Sequence, residues 1–378
     1  MKRISLVLLM ILSTYLMAQA PMGSKSLLNM QTARTFEAGR FEIRSDMNFY
    51  TKLADFIGNP NLKPSDFRAV NYWLVNGGLA LTYGISNHFD LTVAPGLYQD
   101  THAINEYNLP DDIRVYAKAG SFDFANRSMY AAATIGIRFP LGEVHNYPFT
   151  YYTSGAIEYG FSGALSYYAD PYLPDRSFSA HLNVGWWNYN EAGDELRPGK
   201  FATVNSQALN YAIGVLYPTD MFDFQFELTG LNYLTQPDVF VFSRENWMYI
   251  TPSIKYKPFS WAKVNLGLDF RLVGDKDESV GLTNYAKVDL PNYTSWRVHL
   301  GFELTVLPLL GESASSESPA VVQKNQFKKR VEFFQKVIDE KEKSENIKEE
   351  LDKLKDERAQ AEKELQELKQ ILEEEGGD

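Results

Sequence analysis

KVNLGLDFRL at positions 263–272 and WRVHLGFELTV at 296–306 carry the pattern that decides the fold. In the first, Val264, Leu266, Leu268, Phe270 and Leu272 alternate with Lys263, Asn265, Gly267, Asp269 and Arg271. In the second, Trp296, Val298, Leu300, Phe302, Leu304 and Val306 stand against Arg297, His299, Glu303 and Thr305. Successive side chains of a strand point to opposite faces, so each segment predicts a strand with one greasy and one polar side.

The period recurs outward from this pair. Phe41, Ile43, Met47 and Phe49 oppose Arg40, Glu42, Arg44, Asp46 and Asn48, and Trp73, Val75, Leu79, Leu81 and Tyr83 oppose Asn76, Gly78, Ala80 and Thr82. Strands are expected at 36–50, 70–85, 89–100, 112–121, 128–139, 156–168, 178–190, 207–217, 222–233, 246–258, 262–273 and 293–308. A soluble sandwich alternates as well, but three features favour a closed antiparallel transmembrane β-barrel, an all-β fold of twelve strands. Many segments reach ten residues or more, where globular strands average about five or six. Aromatics crowd segment ends, as at Trp73 and Tyr83, Trp186 and Trp187, and Trp247 and Tyr256. Connections alternate between tight breaks (85–90, 121–126, 170–176, 218–222, 258–261) and long polar ones, the habit of outer-membrane barrels with short periplasmic turns and long outer loops. An even count closes the wall, as lipid demands of backbone polar groups, and leaves both termini in the periplasm.

The ends read differently. Lys2 and Arg3, the apolar run SLVLLMILSTYLM and the small-x-small AQA predict a secretory signal peptide over 1–20. Residues 21–35 are expected as an N-terminal periplasmic segment, 36–308 as the barrel, 309–322 as a linker and 323–375 as a periplasmic helical tail. In that tail Ile347, Leu351, Leu354, Ala361, Leu365, Leu368 and Leu372 keep heptad spacing, with Arg358 interrupting the seam. Such a seam predicts a coiled coil, joining either a second copy or a periplasmic protein. The absence of cysteine excludes a lipidated cysteine, disulfides and thiolate metal sites. Lys+Arg 37 against Asp+Glu 48, a net charge of −11, disfavours a nucleic-acid partner.

Charges on the polar faces must avoid lipid, where a lysine or arginine at mid-membrane costs about 2–4 kcal/mol. The lumen candidates are therefore Arg40, Arg44, Arg114, Lys118, Arg138, Lys255, Lys257, Arg271, Arg297 and His299, with Glu42, Asp46, Glu158, Asp223, Glu227, Asp269 and Glu303. They support two readings. Either they line a polar path for small solutes, or they pair across strands and fill a narrow barrel, which would then serve as a closed scaffold. Strand closure suggests Arg40 or Arg44 with Glu303, and Glu42 or Asp46 with Arg297. The loops 141–154 and 234–243 are unusually apolar, suited either to capping the mouth or to collecting a hydrophobic ligand.

The segment ALTYGISNHFDLTVAPGLY at 80–98 resembles the strand–turn–strand unit of the outer-membrane transporter group that includes the channels of the phenol-degradation pathway. That resemblance implies passive passage of small compounds and assigns Tyr83, Gly84 and Asp90 to shaping the turn. Likewise HLGFELTV at 299–306 resembles the terminal strand by which barrel-assembly machinery recruits its clients. No HExxH, GxSxG or phosphate loop is present. Ser179 and His181 share a face without a recognisable third member, and the acidic pairs Asp111–Asp112 and Asp194–Glu195 suit solvated loops. Neither an enzyme, a cofactor nor a metal is expected.

Overall fold

Wherever the alternation is sustained, a barrel strand forms. The computed structural model describes residues 23–57, 68–101, 106–146, 149–274, 278–279, 292–308, 335, 351 and 353–359. Its barrel strands are β1 (Phe41–Ile57), β2 (Arg68–Ser86), β3 (Phe89–Thr101), β4 (Ile113–Phe124), β5 (Met129–Phe139) and β6 (Glu158–Tyr168). They continue as β7 (Ser179–Asn188), β8 (Gln207–Pro218), β9 (Phe222–Thr235), β10 (Trp247–Tyr256), β11 (Ala262–Arg271) and β12 (Trp296–Leu307). Each pairs antiparallel with the next, and β12 pairs with β1 from Phe41 opposite Leu307 to Phe49 opposite Val298. The twelve-stranded wall is thereby closed. β1 runs further out than the alternation suggests because Thr51 to Ala54 keep pairing with Trp73 to Val70.

The two faces separate as the sequence demands. Ile135 (62% exposed), Ile213, Leu266 (52%) and Phe270 project outward, while Thr134, Glu227, Asp269 and His299 on the alternate positions are buried. Aromatic rings gather at the tight turns, with Phe222 stacked on Tyr256 at 5.1 Å and Phe259 on Trp261 at 5.2 Å. An apolar belt flanked by aromatic rings, on a wall with no free edge, is the surface of a bacterial outer-membrane β-barrel. Both ends of the barrel lie on the side of the tight turns, the periplasmic side in this class.

Residues 314–378 form a separate unit, and there the expectation of a coiled coil fails. Among the described residues the tail offers one short helical run, 353–359, and its leucines are not buried: Leu351 is 48% exposed and Leu354 64%. A heptad seam needs a partner surface to cover it. Ile347, Ala361, Leu365, Leu368 and Leu372 lie outside the described residues.

Candidate functional site in the barrel lumen

The segment expected in the periplasm runs inside the barrel instead. Residues 24–32 fold as a small hairpin, in which Leu27 N–H donates to the Met30 carbonyl (2.9 Å) and Thr32 N–H to that of Lys25 (3.0 Å). Leu27, Met30, Ala33 and Phe36 are buried, so an apolar surface that would be wasted in water is covered by the wall. Two inward glycines make room for it. A side chain at Gly214 would strike the Met30 sulfur, and one at Gly267 would strike a Leu28 methyl.

The wall holds this hairpin mainly by its backbone. The Glu227 carboxylate accepts the N–H groups of both Leu28 and Asn29, each at 2.9 Å. The Asn183 amide accepts from Gln31 N–H and donates to Gln31 C=O, both at 2.9 Å. Ser166 accepts from Ala33 (2.7 Å), Ser121 from Thr35 (2.9 Å), and Lys118 donates to the Arg34 carbonyl (2.8 Å). Arg44 donates to Ser26 Oγ and to the Leu27 and Leu28 carbonyls. Asp90, which sequence resemblance assigned to a turn, accepts from Ser24 Oγ at 2.6 Å and Phe36 N–H at 3.2 Å. Every buried backbone group of the strap that finds such a partner avoids a cost of about 1–3 kcal/mol.

At the periplasmic mouth two ion pairs fasten the hairpin's root. Lys25 meets Glu37 at 2.7 Å, and Arg34 meets Asp175 at 2.5 Å while lying over the rings of Tyr130 and Tyr168. Burial alone would raise both carboxyl groups, but Lys25 beside Glu37, and Lys25 with Arg34 near Asp175, hold them below the ordinary carboxylate range.

The remaining charges gather into separate clusters. Asp269 is gripped by Arg297 (2.6 Å), His299 (2.9 Å) and Thr251 (2.6 Å), and His299 reaches Asp46 at 3.1 Å with its other nitrogen. Arg297 thus serves Asp269 rather than Glu42 or Asp46. Glu303 sits among Lys255 (2.7 Å), Lys263 (3.1 Å) and Arg44 (3.8 Å), an arrangement that includes the cross-strand neighbour suggested by closure. Arg138 meets Asp112 at 2.5 Å and Glu158 at 3.8 Å. Nearer the rims, Arg40 pairs with Glu42 (2.8 Å), Lys257 with Asp223 (2.5 Å), and Arg271 donates to the Tyr293 carbonyl (2.7 Å). Arg114 is half-buried on the inner face of β4, directly opposite Arg138.

Beyond the hairpin the lumen opens into a chamber of about 320 Å³. Leu28, Asn29 and Gln31 form its periplasmic side, and Tyr151, Tyr152, Trp187, Tyr189 and Trp247 supply aromatic wall. The apolar loops do fold inward over the outer mouth. Tyr152 packs with Tyr189, Ala208, Leu231 and Val241 in one buried cluster, and Ser243 donates to the carbonyls of Thr150 (2.5 Å) and Asn292 (3.0 Å). His181 is engaged by Ser179 (3.0 Å) and Ser166 (2.7 Å), and Ser166 is already committed to the hairpin, so these residues brace the wall. Among the described residues no three His, Asp or Glu side chains gather as metal ligands.

No known family matches the sequence, and no curated protein matches it. Solved barrels of similar shape include an outer-membrane channel from Pseudomonas putida F1, at 9% identity and a TM-score of 0.44 over 74% of this chain and 100% of that one. Others are the NanC porin, at 10% identity and a TM-score of 0.44 over 70% and 98%, and the translocator domain of the autotransporter NalP from Neisseria meningitidis, at 7% and 0.36 over 71% and 89%. These likenesses extend to outer-membrane barrels in general and do not single out the phenol-degradation channels.

Proposed function

We propose that this barrel passes small solutes across the outer membrane through the lumenal chamber, with the N-terminal hairpin as the element that closes the periplasmic side. The observation that carries this reading is the juxtaposition of an internal space of about 320 Å³ with a strap held largely by hydrogen bonds to wall side chains. A space of that size falls at the small end of ligand-sized sites, which suits single small molecules rather than oligomers. Twelve strands enclose less room than the sixteen of open porins, so a short hairpin takes up a large share of the lumen.

The competing reading is a closed structural barrel, and the ion clusters around Asp269 and Glu303 favour it because they fill the lumen with satisfied charge. Planar-bilayer recording separates the two. The full chain is expected to give small, infrequent steps, and a variant lacking residues 23–35 larger and persistent ones. If both proteins, correctly folded, are electrically silent and neither lets a small sugar swell liposomes, the conduit reading fails and the scaffold stands.

A further inference from the structure

We propose that the chamber is a binding site for a small carboxylate carried on a planar apolar body, with Arg114 as the group that holds the anion. This rests on the reading of the lumen as a solute path and names the class of solute.

The register supplies the first ground. Arg114 on β4 faces inward beside Ala94 of β3 and Arg138 of β5, so two guanidinium groups are direct cross-strand neighbours. Like charges placed opposite one another destabilise a sheet unless something neutralises them. Arg138 is neutralised, by Asp112 at 2.5 Å and by Glu158 at 3.8 Å. Asp112 is directed elsewhere, since it also accepts the N–H groups of Leu141 and Gly142 at 3.1 Å each and faces His145 at 3.9 Å. Among the described residues Arg114 meets no carboxylate. The other cations lining the chamber, Arg138, Arg297 and His299, all make ion pairs, whereas Arg114 makes none among the described residues and feels Asp112 only at longer range.

The surroundings supply the second. Gly136 and Gly160, inward on β5 and β6, leave the wall low beside Arg114, and the rings of Tyr116 and Trp187 lie across them. These rings and Tyr151, stacked on Trp247 at 4.5 Å, offer flat apolar surface within the same chamber. A guanidinium fork matches a carboxylate in a way that no neutral group does, and aromatic faces match a planar body. An engineered cavity of about 150 Å³ accepts benzene, so roughly twice that space admits a molecule of about a dozen heavy atoms. Asp46 and Glu158 line the same chamber and would oppose a second negative charge, so the anion is singly charged.

The test uses purified full-chain barrel in detergent, titrated with benzoate and with its neutral isostere benzamide and followed by ligand-observed NMR. Benzoate is expected to bind at least tenfold more tightly. Arg114→Gln should bring benzoate down to the level of benzamide, Arg114→Lys should keep part of the difference, and Lys200→Gln on the exposed outer hairpin should leave it intact. Equal binding of the two probes by the unaltered protein, absence of binding by both, or a benzoate preference that survives in Arg114→Gln overturns the proposal. The wild-type comparison alone decides if the variants fail to fold. Benzoate-selective binding in a barrel that never conducts would remove the passage reading and keep the site. Conductance with charge-blind binding would do the reverse.

Discussion

Truncating Glu227 to alanine should loosen the hairpin without unfolding the wall. Its carboxylate is fully buried and accepts the two backbone N–H groups at the hairpin's tip, Leu28 and Asn29, each at 2.9 Å. Hydrogen bonds to a charged group contribute about 1.5–3 kcal/mol each. Water reaching the vacated space recovers part of that, so a net loss of about 3 kcal/mol in hairpin docking is expected, roughly a hundredfold in the undocked population. The barrel strands keep their ladders, because Glu227 forms no ion pair across to its neighbours Gly214 and Thr251. Hydrogen exchange read by mass spectrometry on a peptide covering 24–36 should accelerate by about that factor while peptides from β9 and β10 stay protected. Bilayer recordings should show more frequent openings. Glu227→Gln should fall between, since one carbonyl satisfies one N–H while the amide group turns a donor toward the other. Exchange of 24–36 unchanged in Glu227→Ala would refute the claim that this carboxylate anchors the strap.

Three further outcomes follow from the same structure. Leu266→Arg, at a lipid-facing position 52% exposed on the outer wall, should cost about 2–4 kcal/mol in urea titrations of folding into vesicles, whereas a mild effect would argue that this face does not meet lipid. Arg297→Met removes one of the three partners of the fully buried Asp269 and leaves His299 and Thr251, so a loss smaller than the roughly 3–5 kcal/mol of an uncompensated buried charge should lower the temperature at which the barrel loses its compact gel mobility. The mouth pairs predict an acid effect. Carboxyl groups held below their ordinary range contribute stability that is complete above that range and lost as pH falls through their lowered values, so Lys25–Glu37 and Arg34–Asp175 should hold from neutrality down and weaken below about pH 4. Both acids are more than half exposed, so the effect on hairpin docking is modest. Openings should be more frequent at about pH 3 than at about pH 6, and the double variant Glu37→Gln, Asp175→Asn should flatten that difference. An unaltered pH response in the double variant would assign the effect elsewhere.

The barrel was legible because its signal is repeated along every strand: Leu266 and Phe270 outside, Asp269 within, and the same parity at Ile213 and Gly214 or Ile135 and Thr134. The tail misled because heptad spacing describes what a helix would present to a partner, not whether a partner is there, and Leu351 and Leu354 remain in solvent. The lumenal hairpin was missed for a different reason. Residues 23–36 mix small, apolar and polar side chains with no strand or helix period, and their contacts run to residues such as Glu227 and Asn183 that are far away in the chain. Yet the wall held a sign of them. Glu227 lies between Gly214 and Thr251, and Asn183 between Ala164 and Ala212, so neither has a complementary neighbour on the adjacent strands. A buried carboxylate with no cation on the adjacent strands requires donors from somewhere, and the inward glycines Gly214 and Gly267 mark where a second chain segment fits. The same reasoning that identifies Glu227 as a socket for backbone N–H groups marks Arg114, flanked by Ala94 and Arg138, as a charge with no complementary neighbour on the adjacent strands. For Glu227 the chain itself provides that partner. For Arg114 the described residues offer no ion pair, and the chamber beside it is where a solute's charge would complete the arrangement.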